Sequence, residues 1–233
     1  MSLLGKAAMV AWHNLMPGQE VGHDRWHSRE HLFERVGIPG FRRGRRCVAP
    51  EGSAGECYFL MYEVDELSVL TSKVYLDRLN NPTPWSQRVI PTICDMTRTL
   101  CRVRASSGGG VGGWVSTLRF SVTEKDRERL IKSLSESVAP DLASEEAVTA
   151  AHLLEGDGAS SGLNTEEKRL RGVSDSVADL VLIVEGYERE AVRSTLSPES
   201  MGELFGEKGA AGAMIQGVYQ TRHVVSEADL TDW

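Results

Sequence analysis

Three histidines recur at four-residue intervals early in the chain, at His23, His27 and His31. A four-residue step along an α-helix advances by about 40°, so the three imidazoles share one side of a helix. Imidazole titrates near neutral pH and suits proton transfer or hydrogen bonding to a substrate oxygen. Three interpretations of this stripe stay open: a partly exposed polar surface, metal ligation, or a histidine that reaches a pocket.

The segment from His27 to His31 also matches the pattern H-x-x-E-H. In that pattern two imidazoles one helical turn apart ligate zinc, and the glutamate, here Glu30, acts as a base. Such a site needs a third ligand and a larger helical scaffold, and the strand-rich sequence around it offers neither. We therefore expect no metal and no cofactor, and we keep a metal or haem protein that uses the stripe as the weaker alternative.

Two more residues are candidates because of their surroundings. His13 lies on a predicted strand and points to the opposite face from Trp12, so it is a second candidate catalytic residue if its face lines a cavity. The alternative is a structural core histidine that is hydrogen-bonded to the backbone. Trp85 follows a predicted helix in a segment with prolines at Pro82 and Pro84, a composition typical of a pocket rim or a subunit contact.

Four arginines crowd onto one short predicted strand. A strand period of two sends Arg43 and Arg45 to one face and Arg42 and Arg46 to the other. The four cannot all be buried without partners. Arg43 and Arg45 are therefore interpreted either as members of structural ion pairs, with Glu63 as one partner, or as a clamp for a ligand carboxylate or enolate.

The elements that would position these residues follow the order β-α-β-β-α-β. The sequence predicts strands over 7–15, 41–50, 56–64 and 96–105, with helices over 19–36 and 67–79. The same order follows a glycine run, with strands over 114–122, 148–154, 180–185 and 213–225 and helices over 124–138 and 189–205.

This repetition predicts two domains of one kind. The first repeat covers residues 1–107, a glycine-rich flexible linker covers 108–113, and the second repeat covers 114–233. Val10 aligns with Ser116 at an offset of 106 residues, whereas Glu63 aligns with Glu185 at 122. A polar insertion over about 156–174 accounts for the difference.

A β-α-β-β-α-β unit is the ferredoxin-like arrangement, a four-stranded antiparallel sheet with both helices on one face. The bare face cannot be solvated here, because the strands over 58–62 and 180–184 are apolar on both sides. Two such sheets would bury those faces by closing on each other. The predicted fold class is therefore α+β, with two tandem ferredoxin-like units forming one α/β barrel within a single chain.

Three segments resemble a known family: WHSREHLFERVGIPGF at 26–41, RGRR at 43–46 and YFLMYE at 58–63. They are similar to the dimeric α/β-barrel superfamily, and most nearly to its EthD-like members. The resemblance covers about residues 7–105 by motif, and the second half rests on element order alone. It implies a barrel of two ferredoxin-like units, and it places the histidine matching His31 on the ligand-facing side, with Trp26 and Tyr62 also predicted to contact the ligand.

The resemblance further implies a small hydrophobic or aromatic ligand and a cofactor-free oxygenase, isomerase or cyclase. The site expected from it is inside the barrel of the first half. A non-catalytic ligand-binding or stress-related barrel protein is the alternative, and a filled interior would favour it. The resemblance also implies a homodimer.

Composition limits the partners. The 233 residues carry a net charge of −7, which argues against nucleic acid as the main partner because phosphate binding needs a broad positive surface. No apolar run approaches the roughly 20 residues that cross a bilayer, and Lys6, Trp12 and His13 interrupt the one stretch resembling a signal-peptide core. We therefore expect no membrane partner and a cytoplasmic location.

Overall fold

The computed structural model describes residues 3–172, 175–205 and 213–230. Within these ranges the strands follow the predicted order closely, because most of them are runs of apolar and β-branched residues between turn signals, and the arginine-rich strand at 41–48 pairs with two neighbours. They are β1 (Ala7–Leu15), β2 (Phe41–Val48), β3 (Tyr58–Val64), β4 (Ile93–Gly108), β5 (Trp114–Phe120), β6 (Val148–Gly156), β7 (Leu180–Gly186) and β8 (Ile215–Ser226).

The α-helices are short. In two places a π-helical turn joins one α-helix to the next, at His27–His31 and at Leu134–Val138. None of the described helices is long and apolar enough to cross a membrane. They are α1 (Glu20–Trp26), α2 (Leu32–Val36), α3 (Lys73–Asn80), α4 (Pro84–Val89), α5 (Arg127–Ser133), α6 (Ala139–Leu142), α7 (Gly158–Ser161), α8 (Glu166–Arg171), α9 (Arg189–Thr195) and α10 (Pro198–Phe205).

The strands close into one antiparallel barrel in the order β1-β3-β2-β8-β5-β7-β6-β4. Each half contributes four adjacent strands in the same internal order, and the halves join where β2 pairs with β8 and β4 pairs with β6. The predicted α+β fold, two tandem ferredoxin-like units closed into one barrel within the chain, is confirmed.

Both faces of each four-stranded sheet are buried. Trp12, Phe59, Met61, Ile183 and Tyr219 belong to the cluster that fills the barrel interior, and each is at most 1% exposed. Separate apolar clusters lie between the outer face of each half and its helices. This double burial explains why β3 and β7 are apolar at both parities.

The two halves correspond at one constant offset along their first strands and at their π turns. Glu63 lies opposite Ala8, and Glu185 lies opposite Val115, so the first strands of the two halves correspond at an offset of 107 rather than 106 residues. A shift of one residue reverses the faces of a strand, and the offset of 106 wrongly matched an inward-facing valine with an outward-facing serine. The same offset of 107 relates His27–His31 to Leu134–Val138.

The glycine linker and the insertion both have defined contacts. Gly112 donates its backbone N–H to the Glu185 carboxylate at 2.9 Å, and a Cβ there would collide with the backbone of Gly186. The expectation of a purely flexible linker is therefore wrong at this residue. The insertion forms α7 and α8, and α8 crosses to the first half, where its Glu167 pairs with Arg35.

Candidate active site: a buried histidine cluster

The histidine stripe packs against the sheet of the first half and meets a fourth histidine there. His23, His27 and His31 face the outer side of β1 and β3, and His13 of β1 completes the group. Ring centroids lie 5.2 Å apart for His13 and His23, 5.6 Å for His23 and His27, and 5.4 Å for His27 and His31. His31 is 8% exposed and the other three at most 1%, so His31 alone of the four borders more open space.

Aromatic rings wall the cluster. The Trp26 ring centroid lies 4.3 Å from that of His31, and Tyr58 stacks on His13 at 5.0 Å with nearly parallel planes. The Trp26 indole N–H donates to Ser86 Oγ at 3.1 Å, which fixes the ring against α4. The site is therefore a flat-sided, ring-lined environment of the kind that suits an aromatic ligand.

Two of the histidines have a hydrogen-bond partner at one ring nitrogen. The Tyr62 hydroxyl lies 3.2 Å from His27 Nε2, and we assign the hydroxyl as donor, which leaves the proton of neutral His27 on Nδ1. His23 Nδ1 lies 3.2 Å from the Asp24 carboxylate, which can only accept, so His23 Nε2 is left as an acceptor.

Several ring nitrogens of the cluster have no hydrogen-bond partner among the described residues. They are both nitrogens of His13, Nε2 of His23, Nδ1 of His27 and Nδ1 of His31. A buried polar atom without a partner costs about 1–3 kcal/mol, so native structures rarely keep several together. Such a concentration of free donors and acceptors in one place is typical of a functional site.

All four imidazoles are neutral near pH 7. Burial lowers the pKa of His13, His27 and His31 well below the ordinary value, and the neighbouring histidines and nearby arginines lower it further. Burial also lowers the pKa of His23, although Asp24 opposes the shift. A neutral histidine can accept a proton, so the cluster is in the form that a general base requires.

A cavity of about 50 Å³ adjoins the cluster, with room for one or two water molecules. Its wall includes Arg35, Arg98 and, from the insertion, Glu167 and Arg171 of α8. Arg171 is held by Asp175 at 2.7 Å, and Arg35 is bonded to Glu167. The helix α8 of the second half thus covers a cavity of the first half and places ion-paired side chains in the cavity wall.

The structure brings together four of the predicted site residues. His31 and Trp26 line the cavity, Tyr62 bonds to His27, and His13 contacts His23. The predicted catalytic residues His13 and His31 do not lie inside the barrel: Trp12 belongs to the cluster that fills the interior, whereas His13 contacts His23 of the first helix and His31 lines the cavity outside.

Trp85 is not in the cavity wall. It borders a separate surface groove together with Phe33, Thr83 and Leu230. Glu30 faces the same side, where it accepts a hydrogen bond from the Thr83 hydroxyl at 2.5 Å. Trp85 therefore borders a pocket other than the one beside the histidine cluster, and the Glu30 side chain bonds to the residue that caps the start of α4.

Arg43 and Arg45 point into the barrel, away from the histidine cluster. Arg43 donates two hydrogen bonds to Glu63, at 2.7 and 2.9 Å, and Arg45 donates to Glu185 at 2.7 Å. The interpretation as structural ion pairs describes this arrangement, and the ligand clamp does not. Although burial opposes it, the Arg45 guanidinium together with His152 holds the pKa of Glu185 well below its usual range.

The residues present do not fit a haem or a zinc ion. No group of three or more His, Cys, Asp or Glu side chains in the described ranges is placed to hold a metal ion. The cavity beside the cluster is also far smaller than a porphyrin. The histidine rings meet in edge-on or tilted contacts.

Sequence reasoning missed the charged part of the site. Arg35 lies one turn beyond His31 and could have been found from the helical spacing. Glu167 and Arg171 carry no such signal, because nothing in the insertion indicates which surface α8 covers. In the described part of the second half no equivalent site is formed, since Leu134 and Val138 occupy the positions of His27 and His31 in its apolar core.

Comparison with known proteins gives the fold. No protein-family model and no curated protein matches the chain. The structure of an anthrone oxidase-like protein is similar, with a TM-score of 0.67 and 13% identity over 99% of this chain and 97% of that one.

Two further solved structures are similar at lower scores. A proposed monooxygenase from Fusobacterium nucleatum subsp. nucleatum gives a TM-score of 0.60 at 9% identity, covering 97% of this chain and 96% of that one. A mutant chlorite dismutase from Candidatus Nitrospira defluvii gives 0.50 at 10% identity, covering 92% and 91%. The chain thus has the ferredoxin-like α+β barrel fold of monooxygenase-like and chlorite dismutase-like proteins.

Proposed function

We propose that this protein is a cofactor-free oxygenase acting on a small aromatic molecule, with the buried histidine cluster as its active site. The observation that carries the proposal is the set of neutral, ring-walled imidazoles with unpartnered nitrogens beside a cavity. The similarity in fold to an anthrone oxidase-like protein supports an aromatic substrate with an activated methylene group.

His31 is the proposed base. It lines the cavity, it is the most exposed of the four histidines, and it is neutral near pH 7. Removing a proton from a methylene group between aryl rings creates an enolate. Arg98 in the cavity wall, whose guanidinium donates to the Tyr75 hydroxyl, would stabilise that negative charge.

The reaction balances with molecular oxygen as the only co-reactant. The C–H proton goes to His31, the enolate passes one electron to dioxygen, and the two radicals combine through a new C–O bond to give a peroxide anion. The anion takes the proton back from His31 and becomes a hydroperoxide. His31 then removes the second C–H proton, the O–O bond breaks as the carbonyl forms, and the departing hydroxide takes that proton from His31 to give water. In sum, the methylene compound and dioxygen give the corresponding ketone and water, so that the carbon loses four electrons and dioxygen gains four.

Substrate entry requires a movement. Ligand sites for molecules of this size measure roughly 300 Å³ or more, whereas the cavity here is about 50 Å³. The wall that can move without opening the barrel is α8, which contributes Glu167 and Arg171. We expect α8 to shift outward when an aromatic ligand binds.

The test is oxygen uptake by the purified protein with anthrone as substrate, together with absorbance of the quinone product. We expect His31→Ala to lower kcat by at least about 100-fold while the melting temperature shows a folded chain. Full activity in this variant would remove His31 from the mechanism. Equal rates with and without protein would reject the oxygenase itself.

The second candidate function is non-catalytic ligand binding. The observation that favours it is the packed state of the molecule, with a barrel interior filled by side chains and little free space at the cluster. Saturable binding of an aromatic ligand, with no oxygen uptake above the rate in buffer, would favour this function.

The remaining parts of the proposal come from sequence. The motifs at 26–41, 43–46 and 58–63 support an EthD-like member of the dimeric α/β-barrel superfamily. We also propose a homodimer in the cytoplasm. Sedimentation of the purified chain tests the first, and fractionation of its source cells tests the second.

A further inference from the structure

A second concave site lies on the outside of the first half. A groove of about 420 Å³ runs between the π turn of the first helix and the strand β8. Ser28, Arg29, Phe33, Arg46, Arg222 and His223 line it. Three of these six residues are arginines, and none is acidic.

Two of the three arginines, Arg29 and Arg222, are exposed and form no ion pair with any described residue. An exposed guanidinium presents a planar fork of N–H donors that matches the oxygens of a phosphate group. The two come from opposite walls of the groove, one from the π turn and the other from β8.

The third arginine is fixed and buried at the same groove. The side chain of Arg46 is only 8% exposed, and its Nη1 donates to the Asp24 carbonyl at 2.8 Å and to Ser28 Oγ at 2.9 Å. Its Nε is buried and makes no hydrogen bond within the described ranges, although the Asp24 carboxylate lies 3.7 Å away. A preorganised, nine-tenths buried guanidinium in the wall of a groove is typical of a site that recognises an anion.

Two carboxylates lie near the groove. Asp24 lies 3.7 Å from Arg46 Nε and 3.2 Å from His23 Nδ1, whereas Asp229 accepts from the Ser226 N–H and hydroxyl at 2.7 Å each. The charges of Arg29 and Arg222 are therefore left for a ligand. Burial lowers the pKa of the groove histidine His223, and Arg46 and Arg29 contribute to the same shift.

We propose that this groove is a binding site for a phosphate group, separate from the histidine cluster, and that it accepts a phosphate monoester carrying an aromatic ring. The phosphate would lie between Arg29, Arg46 and Arg222. The ring would lie against Phe33 and His223, whose ring centroids are 6.5 Å apart on the groove wall. The volume exceeds that of inorganic phosphate alone and fits a small ester.

The test is calorimetric titration of the full chain with phenyl phosphate and with inorganic phosphate, in chloride buffer of constant ionic strength. We expect both anions to bind. Tighter binding of phenyl phosphate identifies the ester as the ligand class, and equal affinity reduces the site to one for free phosphate. No binding of either anion up to about 10 mM would overturn the proposal.

The variant R29Q/R222Q and its control make the location testable. Both arginines are exposed, so the double variant should fold, and we expect phosphate affinity to fall at least about tenfold. The control R25Q/R88Q removes two exposed arginines outside the groove and should change affinity less than about twofold. Equal weakening in the two double variants would show general electrostatic attraction and reject the site. Oxygen uptake plays no part in this test, so the oxygenase and the phosphate site can fail separately.

Discussion

The Tyr62 hydroxyl lies 3.2 Å from His27 Nε2, and this contact ties the sheet of the first half to the π turn of its helix. Both groups are fully buried. Burial raises the pKa of Tyr62 and lowers that of His27, so the bond joins a neutral phenol to a neutral imidazole. It fixes the ring whose other nitrogen is free.

Removing this hydroxyl should therefore destabilise the protein. In Tyr62→Phe the Nε2 atom of His27 loses its partner in a buried place, and we expect the free energy of unfolding to fall by about 1–3 kcal/mol. Urea denaturation measures the change. The matched control is Tyr187→Phe, because Tyr187 is 63% exposed and its loss of a hydroxyl should have little effect. Equal stability of Tyr62→Phe and wild type would contradict the assigned bond.

Stability should fall steeply on mild acidification. The pKa values of His13, His23, His27 and His31 are lowered in the folded state. Below about pH 6.5 the unfolded chain therefore binds more protons than the folded chain does. The stabilisation is present above pH 6.5 and is lost as the pH falls toward the folded-state values.

Each of these histidines adds up to about 1.4 kcal/mol per pH unit to that slope. Urea denaturation between pH 7.5 and 5 measures it. We expect His13→Phe to reduce the slope by one histidine's share, since Phe can keep the stacking on Tyr58. A free energy of unfolding that stays constant over this range would contradict the neutral cluster.

The ion pair between Arg45 and Glu185 should matter because it joins the two halves inside the barrel. Arg45 of β2 bonds to Glu185 of β7 with side chains only 2% and 1% exposed. Arg45→Met leaves that carboxylate buried with one strong partner fewer, and we expect a loss of about 3–5 kcal/mol in urea denaturation.

Two variants check this explanation. The double variant Arg45→Met/Glu185→Gln should recover part of the loss, because it removes the uncompensated charge as well. Arg42→Met removes a surface pair on the same strand, since Arg42 is 38% exposed, and should be much milder. No recovery in the double variant would mean that lost packing, not charge, causes the effect.

The cover over the cavity should depend on one interhelical pair. Glu167 of α8 is bonded to Arg35 of α2, and both side chains are at least nine-tenths buried. In Glu167→Gln the charge attraction is lost, and we expect faster amide hydrogen exchange across 166–171 without a comparable change in the barrel strands.

Glu166→Gln is the matched control for that experiment. Glu166 is on the same helix, and its carboxylate pairs with Arg169; its contact with the first half is a backbone N–H donated to Asn80 Oδ1, which the substitution keeps. Loss of the Glu166 carboxylate should leave exchange in α8 close to that of wild type. Equal acceleration in both variants would show that α8 is held by its own helical stability and not by the contact with Arg35.

The fold could be predicted because its main signal is local. Strands apolar on both sides, such as β3 and β7, exclude a solvated face, and the repeated element order leaves a closed barrel as the simple solution. The offset between halves was wrong by one residue, because the small residues of β1 and β5 align almost equally well in either register.

The site could be predicted only in part, because only some of its contacts leave a local pattern in the sequence. The stripe of His23, His27 and His31 follows from helical spacing, but alternation along β1 does not say whether Trp12 or His13 faces the barrel when both faces are buried. The position of α8 depends on contacts across 132 residues of sequence, such as the one between Arg35 and Glu167, and no local pattern encodes them.

The most direct measurement is a crystal structure of the protein grown with anthraquinone, the product shape of the proposed reaction. We expect the rings between the first helix and the outer face of β1 and β3, with a carbonyl oxygen near His31, Trp26 against the ring system, and α8 displaced outward. Anthraquinone bound at any other place, with the histidine cluster unchanged and closed, would contradict an active site there.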